Sequence, residues 1–136
     1  MEVNLNWAGE MNFDATSQTG AKVRLETGVK YGGSGKNATP METVLIALAG
    51  CAGMDAVLIL QKMKVDLKRF DIKVDGRRRE GEPAPFEEIK MTFVLSGENL
   101  TKEKADKAVD LSVNKYCSVG VMLRDTVKIT YETRLE

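Results

Sequence analysis

The sequence predicts an α+β fold in which antiparallel sheets surround one buried central helix. Three observations carry this reading: period-two alternation near the start and again beyond residue 69, one nearly continuous apolar run from Thr39 to Lys64, and an amphipathic helical pattern after Thr101. The strands fall in blocks instead of alternating one by one with helices, which separates this pattern from a doubly wound parallel sheet.

Val3, Leu5 and Trp7 alternate with polar residues, as do Met11 and Phe13, then Ala21, Val23 and Leu25. Ala8-Gly9 and Thr19-Gly20 are the natural turns between them, so a three-stranded meander with one buried face is expected. Val29 to Ala38 contains Gly32, Gly33 and Gly35 and reads as an irregular loop. It is not the GxxxxGK[ST] phosphate loop, because Gly35-Lys36 is followed by Asn37 and no glycine stands five positions earlier.

The central helix starts near Pro40. Thr39 can cap it, proline tolerates the first helical position, and Glu42 lies where the dipole favours an anion. From Val44 to Leu60 only Cys51 and Asp55 interrupt apolar or small residues. A helix apolar on all sides must be surrounded. Gly50, Gly53 and Asp55 break the run short of the ~18–20 apolar residues a membrane span needs, so protein is the expected surround. A small monomer cannot cover every side, and helix packing in a homodimer would.

Phe70, Ile72 and Val74 alternate, as do Ile89, Met91, Phe93 and Leu95, which makes two longer strands joined by a polar excursion at Arg77 to Gly81. Thr101 can cap a second helix with Ala105, Ala108, Val109, Ser112, Val113 and Tyr116 on its packing face. Cys117 follows, and Val127, Ile129 and Tyr131 mark a last strand. Without repeats or a linker, residues 1–136 are expected to form a single domain.

Twenty basic residues balance twenty acidic ones, so no net field draws the chain to nucleic acid or an anionic membrane. No targeting segment is apparent, and the cytoplasm is the expected location. The absence of histidine removes Ser/His and Cys/His catalysis and every histidine metal site. Two cysteines without clustered carboxylates make a poor zinc site. In a reducing compartment a bridge between Cys51 and Cys117, 66 positions apart, would be transient chemistry and not a structural staple.

Cys51 by itself would be inert, because burial raises a thiol pKa of about 8.5 further. It lies about 16 Å beyond Pro40 along a helix, outside the reach of the dipole. The residues allow two readings: a small hydrophobe in a packed core, or a thiol activated by an Arg or Lys from elsewhere.

Thr39-Pro40-Met41-Glu42, Leu45, Ala47-Leu48 and Gly50-Cys51, with Tyr116-Cys117-Ser118-Val119 much later, resemble the paired signatures of the OsmC/Ohr family, the osmotically inducible and organic hydroperoxide resistance proteins. The similarity spans nearly the whole chain. It implies an intertwined homodimer with two interfacial sites, and thiol-dependent reduction of hydroperoxides in the oxidative stress response without any metal or organic cofactor. Cys51 would be the peroxidatic thiolate, Cys117 the thiol that captures its sulfenic acid as a disulfide, and a dithiol the reductant. Met41, Met54 and Met122, with Met63, would line an apolar mouth suited to organic hydroperoxides.

Two departures mark a divergent branch. Met11 stands where the family's peroxidases carry an activating arginine, and Met41 stands where they carry the glutamate that orients it, with Glu42 one position later. A replacement cation would come from Arg77, Arg78, Arg79 or Arg124, and Arg79 is preferred. The rival expectations keep the fold but make it a small-molecule-binding module, or a redox sensor with the Val29 to Ala38 loop as its moving part.

Overall fold

The computed structural model describes all 136 residues. Two compact units emerge, residues 1–44 and 45–136.

In the first unit, strands β1 (Val3–Trp7), β2 (Asn12–Ser17) and β3 (Lys22–Glu26) form an antiparallel meander in that order. Its turns are the expected ones: Gly9 and Gly20 take φ of 93° and 91°, values that favour glycine. The register puts Leu5, Ala15 and Val23 in one row and Trp7, Phe13 and Leu25 in the next, so one face is apolar. The other carries Asp14 and Arg24, joined by a two-pronged ion pair at 2.7 and 2.9 Å. The apolar face was expected to be buried. In the chain alone Val3, Leu5, Trp7, Phe13 and Val23 are all exposed.

The glycine-rich loop holds more structure than its composition suggests, with a 3₁₀ turn at Val29–Tyr31 and a bridge from Leu25 to Ala38. The loop closes on Glu26. Its buried carboxylate accepts from the N–H and hydroxyl of Ser34 and from the N–H of Asn37. These bonds, the Ser34 hydroxyl foremost, hold its pKa down at about 2.

Helix α1 runs from Pro40 to Lys62. It opens with a capping box in which Thr39 Oγ1 accepts from the Glu42 N–H (3.3 Å) and Glu42 Oε2 accepts from the Thr39 N–H (2.7 Å). By length and composition alone, α1 would suffice to cross a bilayer. The interruptions at Gly50, Gly53 and Asp55 therefore do not exclude a membrane by composition. Tertiary packing gives the helix another setting: Leu48, Ala52, Ala56 and Leu60 are fully buried within the chain. Gly53 lets α1 approach the sheet, since a Cβ there would lie 2.9 Å from Ile72 Cδ1.

The burial is one-sided. Ile46, Met54 and Leu58 recur every fourth or eighth residue along α1 and are exposed, with Gly50 between them facing open space. The expectation of a helix buried all round is thus corrected for the single chain.

The second unit contains β4 (Asp66–Arg78), β5 (Phe86–Glu98) and β6 (Lys128–Leu135), with β5 central. Ile72, Phe93 and Thr133 share a face, as do Phe70, Leu95 and Leu135. Helix α2 (Lys102–Leu111) buries Ala105, Ala108 and Val109, and its Thr101 cap forms as expected. Phe70 meets Phe93 edge-on at 6.0 Å. The α+β class stands, with one correction: β5 and β6 pair in parallel. The chain between them passes through α2 and a short helix α3 (Ser118–Leu123), and that crossover returns the chain in the direction it left.

Candidate active site

Cys51 comes from the middle of α1, where its half-buried thiol is set by helical phase alone. Cys117 is delivered by an irregular device. α2 ends at Leu111, and Ser112–Tyr116 winds as a π turn, so that the Cys117 N–H donates to the Ser112 carbonyl at 2.8 Å. Arg124 steadies this turn by donating to the Asn114 carbonyl at 2.9 Å. Cys117 then leaves helical geometry (φ −67°, ψ 104°) and caps α3, its sulfur accepting from the Gly120 N–H at 3.2 Å. A Cβ at position 120 would lie 3.4 Å from that sulfur, which suits glycine to the place.

The Cys117 thiol points onto α1, 3.9 Å from the carbonyl of Leu48. Leu48 lies three residues before Cys51, nearly one helical turn, so Cys117 is docked on the turn that carries Cys51. Both are free thiols. Cys117 is fully buried, and burial pushes its pKa up to about 11. The neighbouring Cys51 and the charge of Asp55 act in the same direction, and the Gly120 N–H opposes them. The pair is asymmetric: one thiol is within reach of a reactant, and the other is shielded and held protonated.

Sequence reasoning singled out both cysteines but missed Asp55 and Ser112 as their neighbours. The signal for Asp55 was its i,i+4 spacing from Cys51. Helical spacing puts Ser112 on the packing face of the second helix. It is buried, but its hydroxyl donates to the Ala52 carbonyl, a polar contact that helical spacing does not reveal.

The remaining candidates have local partners. Glu42 is engaged in the capping box at the start of α1. Arg79 donates to the Pro83 carbonyl of its own β4–β5 hairpin at 3.3 Å, Arg78 to the Ala84 carbonyl, and Arg77 pairs with Glu87 and Glu88. Met54 is 76% exposed and lines an open groove of about 360 Å³ with Gly53, Val57, Leu58, Gln61 and Phe70. Met122 is 74% exposed on α3, whereas Met41 is half-buried in the first turn of α1. In the first unit Met11 lines an apolar groove of about 250 Å³ with Leu5, Phe13, Leu25 and Pro40.

Known proteins resemble the chain throughout its length. Protein YhfA of Escherichia coli K12 is 37% identical over 132 residues, covering 96% of this chain and 95% of that protein. The crystal structure of a hypothetical protein from Aquifex aeolicus VF5 has a TM-score of 0.81 at 31% identity, covering 99% of this chain and 96% of the other. The organic hydroperoxide resistance protein OhrB of Bacillus subtilis shares the fold, with a TM-score of 0.67 at 18% identity over 98% of this chain and 96% of its own. The family model described as OsmC-like protein matches residues 33–132. The chain belongs to the OsmC-like family.

Proposed function

We propose that the chain is a thiol-dependent hydroperoxide reductase in which Cys51 reacts and Cys117 resolves. One observation carries the proposal: a reachable thiol and a buried, protonated one meet on the same turn of α1 in an OsmC-like fold. The Cys51 thiolate attacks one peroxide oxygen, the O–O bond breaks, and the departing alkoxide takes a proton to leave as an alcohol. Cys51 is then a sulfenic acid. Cys117 attacks its sulfur, giving the disulfide and water, and two thiols of a dithiol reductant restore the pair while becoming a disulfide themselves. The apolar groove at Met54, nearly one helical turn along α1 from Cys51, supports organic peroxides as the substrate class.

The working form in this proposal is a cytoplasmic homodimer. The exposed stripe Ile46, Met54 and Leu58 and the bare apolar face of the meander support it. A family match that runs across the division between the two compact units supports treating residues 1–136 as one domain.

The decisive experiment adds one equivalent of cumene hydroperoxide to the Cys117→Ser protein and follows loss of the Cys51 thiol and capture of its sulfenic acid by dimedone. Rapid loss with capture is expected. A Cys51 thiol that survives the peroxide would overturn the reading.

A second reading has its own support. With Met11 and Met41 at the activating positions and Arg79 held by its hairpin, the same fold suits a module that binds a small apolar molecule. A Cys51→Ser variant that keeps its ligand would favour it.

A further inference from the structure

Ser112 stands between the two cysteines. Its hydroxyl donates to the carbonyl of Ala52, the residue next to Cys51, and its own carbonyl accepts from the Cys117 N–H at 2.8 Å. Two hydrogen bonds and one peptide link thus join Cys51 to Cys117 through one buried residue. The π turn makes this possible: its longer i→i+5 bond places the Ser112 carbonyl under the Cys117 N–H while the side chain faces α1. A residue needed only to fill the space would be alanine, as at Ala105 and Ala108 on the same buried face. A hydroxyl there is retained at the cost of desolvation, which its bond to Ala52 offsets.

We propose that Ser112 is a positioning residue for disulfide exchange, the strut that holds Cys117 on the turn of α1 carrying Cys51. It does not touch a substrate and acts only through the geometry of the pair. The inference rests on the proposed function only in requiring that the two cysteines can bond.

Equilibration of the full-length protein against mixtures of oxidised and reduced dithiothreitol tests it. One cysteine thiolate attacks the cyclic disulfide of oxidised dithiothreitol to give a mixed disulfide. The second cysteine attacks the protein sulfur of that bond and displaces the dithiothreitol thiolate, and the two electrons of the cysteine pair leave on reduced dithiothreitol. The equilibrium constant measures how well the fold presents one thiol to the other. S112A is expected to lower that constant about fivefold. Without the strut the dithiol form relaxes away from the paired geometry and recovers free energy on the scale of one ordinary hydrogen bond, which the disulfide form, held by its own S–S bond, cannot. Its Cys51 alkylation rate should be unchanged. S112T and S112V, nearly isosteric and differing in the hydroxyl, give the same comparison at constant volume, with threonine closer to wild type.

Equal constants in wild type and S112A, or in S112T and S112V, would overturn the strut. A wild-type protein that forms no disulfide at any ratio would overturn the strut and the two-cysteine cycle together. A Cys51 inert to cumene hydroperoxide would sink the peroxidase reading alone, because the dithiothreitol equilibrium needs no peroxide.

Discussion

The carbonyl of Leu48 lies 3.9 Å from the sulfur of Cys117, and this contact fixes where the second cysteine sits relative to the first. Leu48 and Cys51 share a turn of α1, so the contact seats Cys117 beside the turn that carries Cys51.

In the proposed cycle the cysteines have unequal duties, so their variants should fail differently. Cys51→Ser is expected to abolish peroxide consumption. Cys117→Ala should allow one turnover per chain and then stop, leaving a sulfenic acid. Stopped-flow peroxide loss with intact-protein mass spectrometry distinguishes a single turnover from none, and multiple turnovers by Cys117→Ala would remove it from the cycle.

The buried Cys117 thiol carries a pH dependence whose sign follows from its raised pKa. Its contribution to stability is fully present below the ordinary thiol value of 9.0 and is lost as pH rises through about 11. Urea unfolding of wild type and Cys117→Ala should therefore converge or cross in that alkaline window. Asp55→Asn removes a negative charge that raises this pKa, so the thiolate absorbance of Cys117 should appear at lower pH. An unchanged or higher midpoint would contradict the role given to Asp55.

Charging the exposed stripe on α1 should separate the proposed dimer. Met54→Lys or Leu58→Glu buries an unpaired charge on each side of a two-fold interface, and weakening on the order of 100-fold or more is expected. Sedimentation equilibrium measures it directly. A wild-type protein that stays monomeric at high concentration would refute the dimer.

Thr39→Ala removes one half of the capping box and should destabilise the fold by about 1 kcal/mol. Glu42→Gln should have a smaller effect of the same sign. Neither Glu42→Gln nor Arg79→Ala is expected to change Cys51 alkylation, because each side chain already has a local partner. A drop in the alkylation rate of either variant would return it to the site.

Much of this fold was legible in the sequence because it rests on local rules. Alternation located all six strands, the Thr39-Pro40-x-Glu42 opening located α1, and Thr101 located α2. The parallel pairing of β6 was not legible, since alternation reports a strand's faces and not its direction. Nor was the π turn before Cys117, because Ala105 to Tyr116 keeps helical spacing while the backbone widens at Ser112. The cysteines were found from the motifs that surround them. Ser112 was missed because a buried hydroxyl and a buried methyl read alike in a pattern of apolar positions.

The Glu26 carboxylate gives the loop between β3 and α1 a property that its glycines conceal. Ser34 and Asn37 are tethered to one side chain, so the segment between them behaves as a closed clasp with a fixed number of links. Extra residues inserted between Ser34 and Asn37 would pull one N–H off the carboxylate, whereas the stretch before Ser34 makes no bond to it. Tolerance to insertion should therefore change abruptly within a few positions of a loop that looks uniformly permissive.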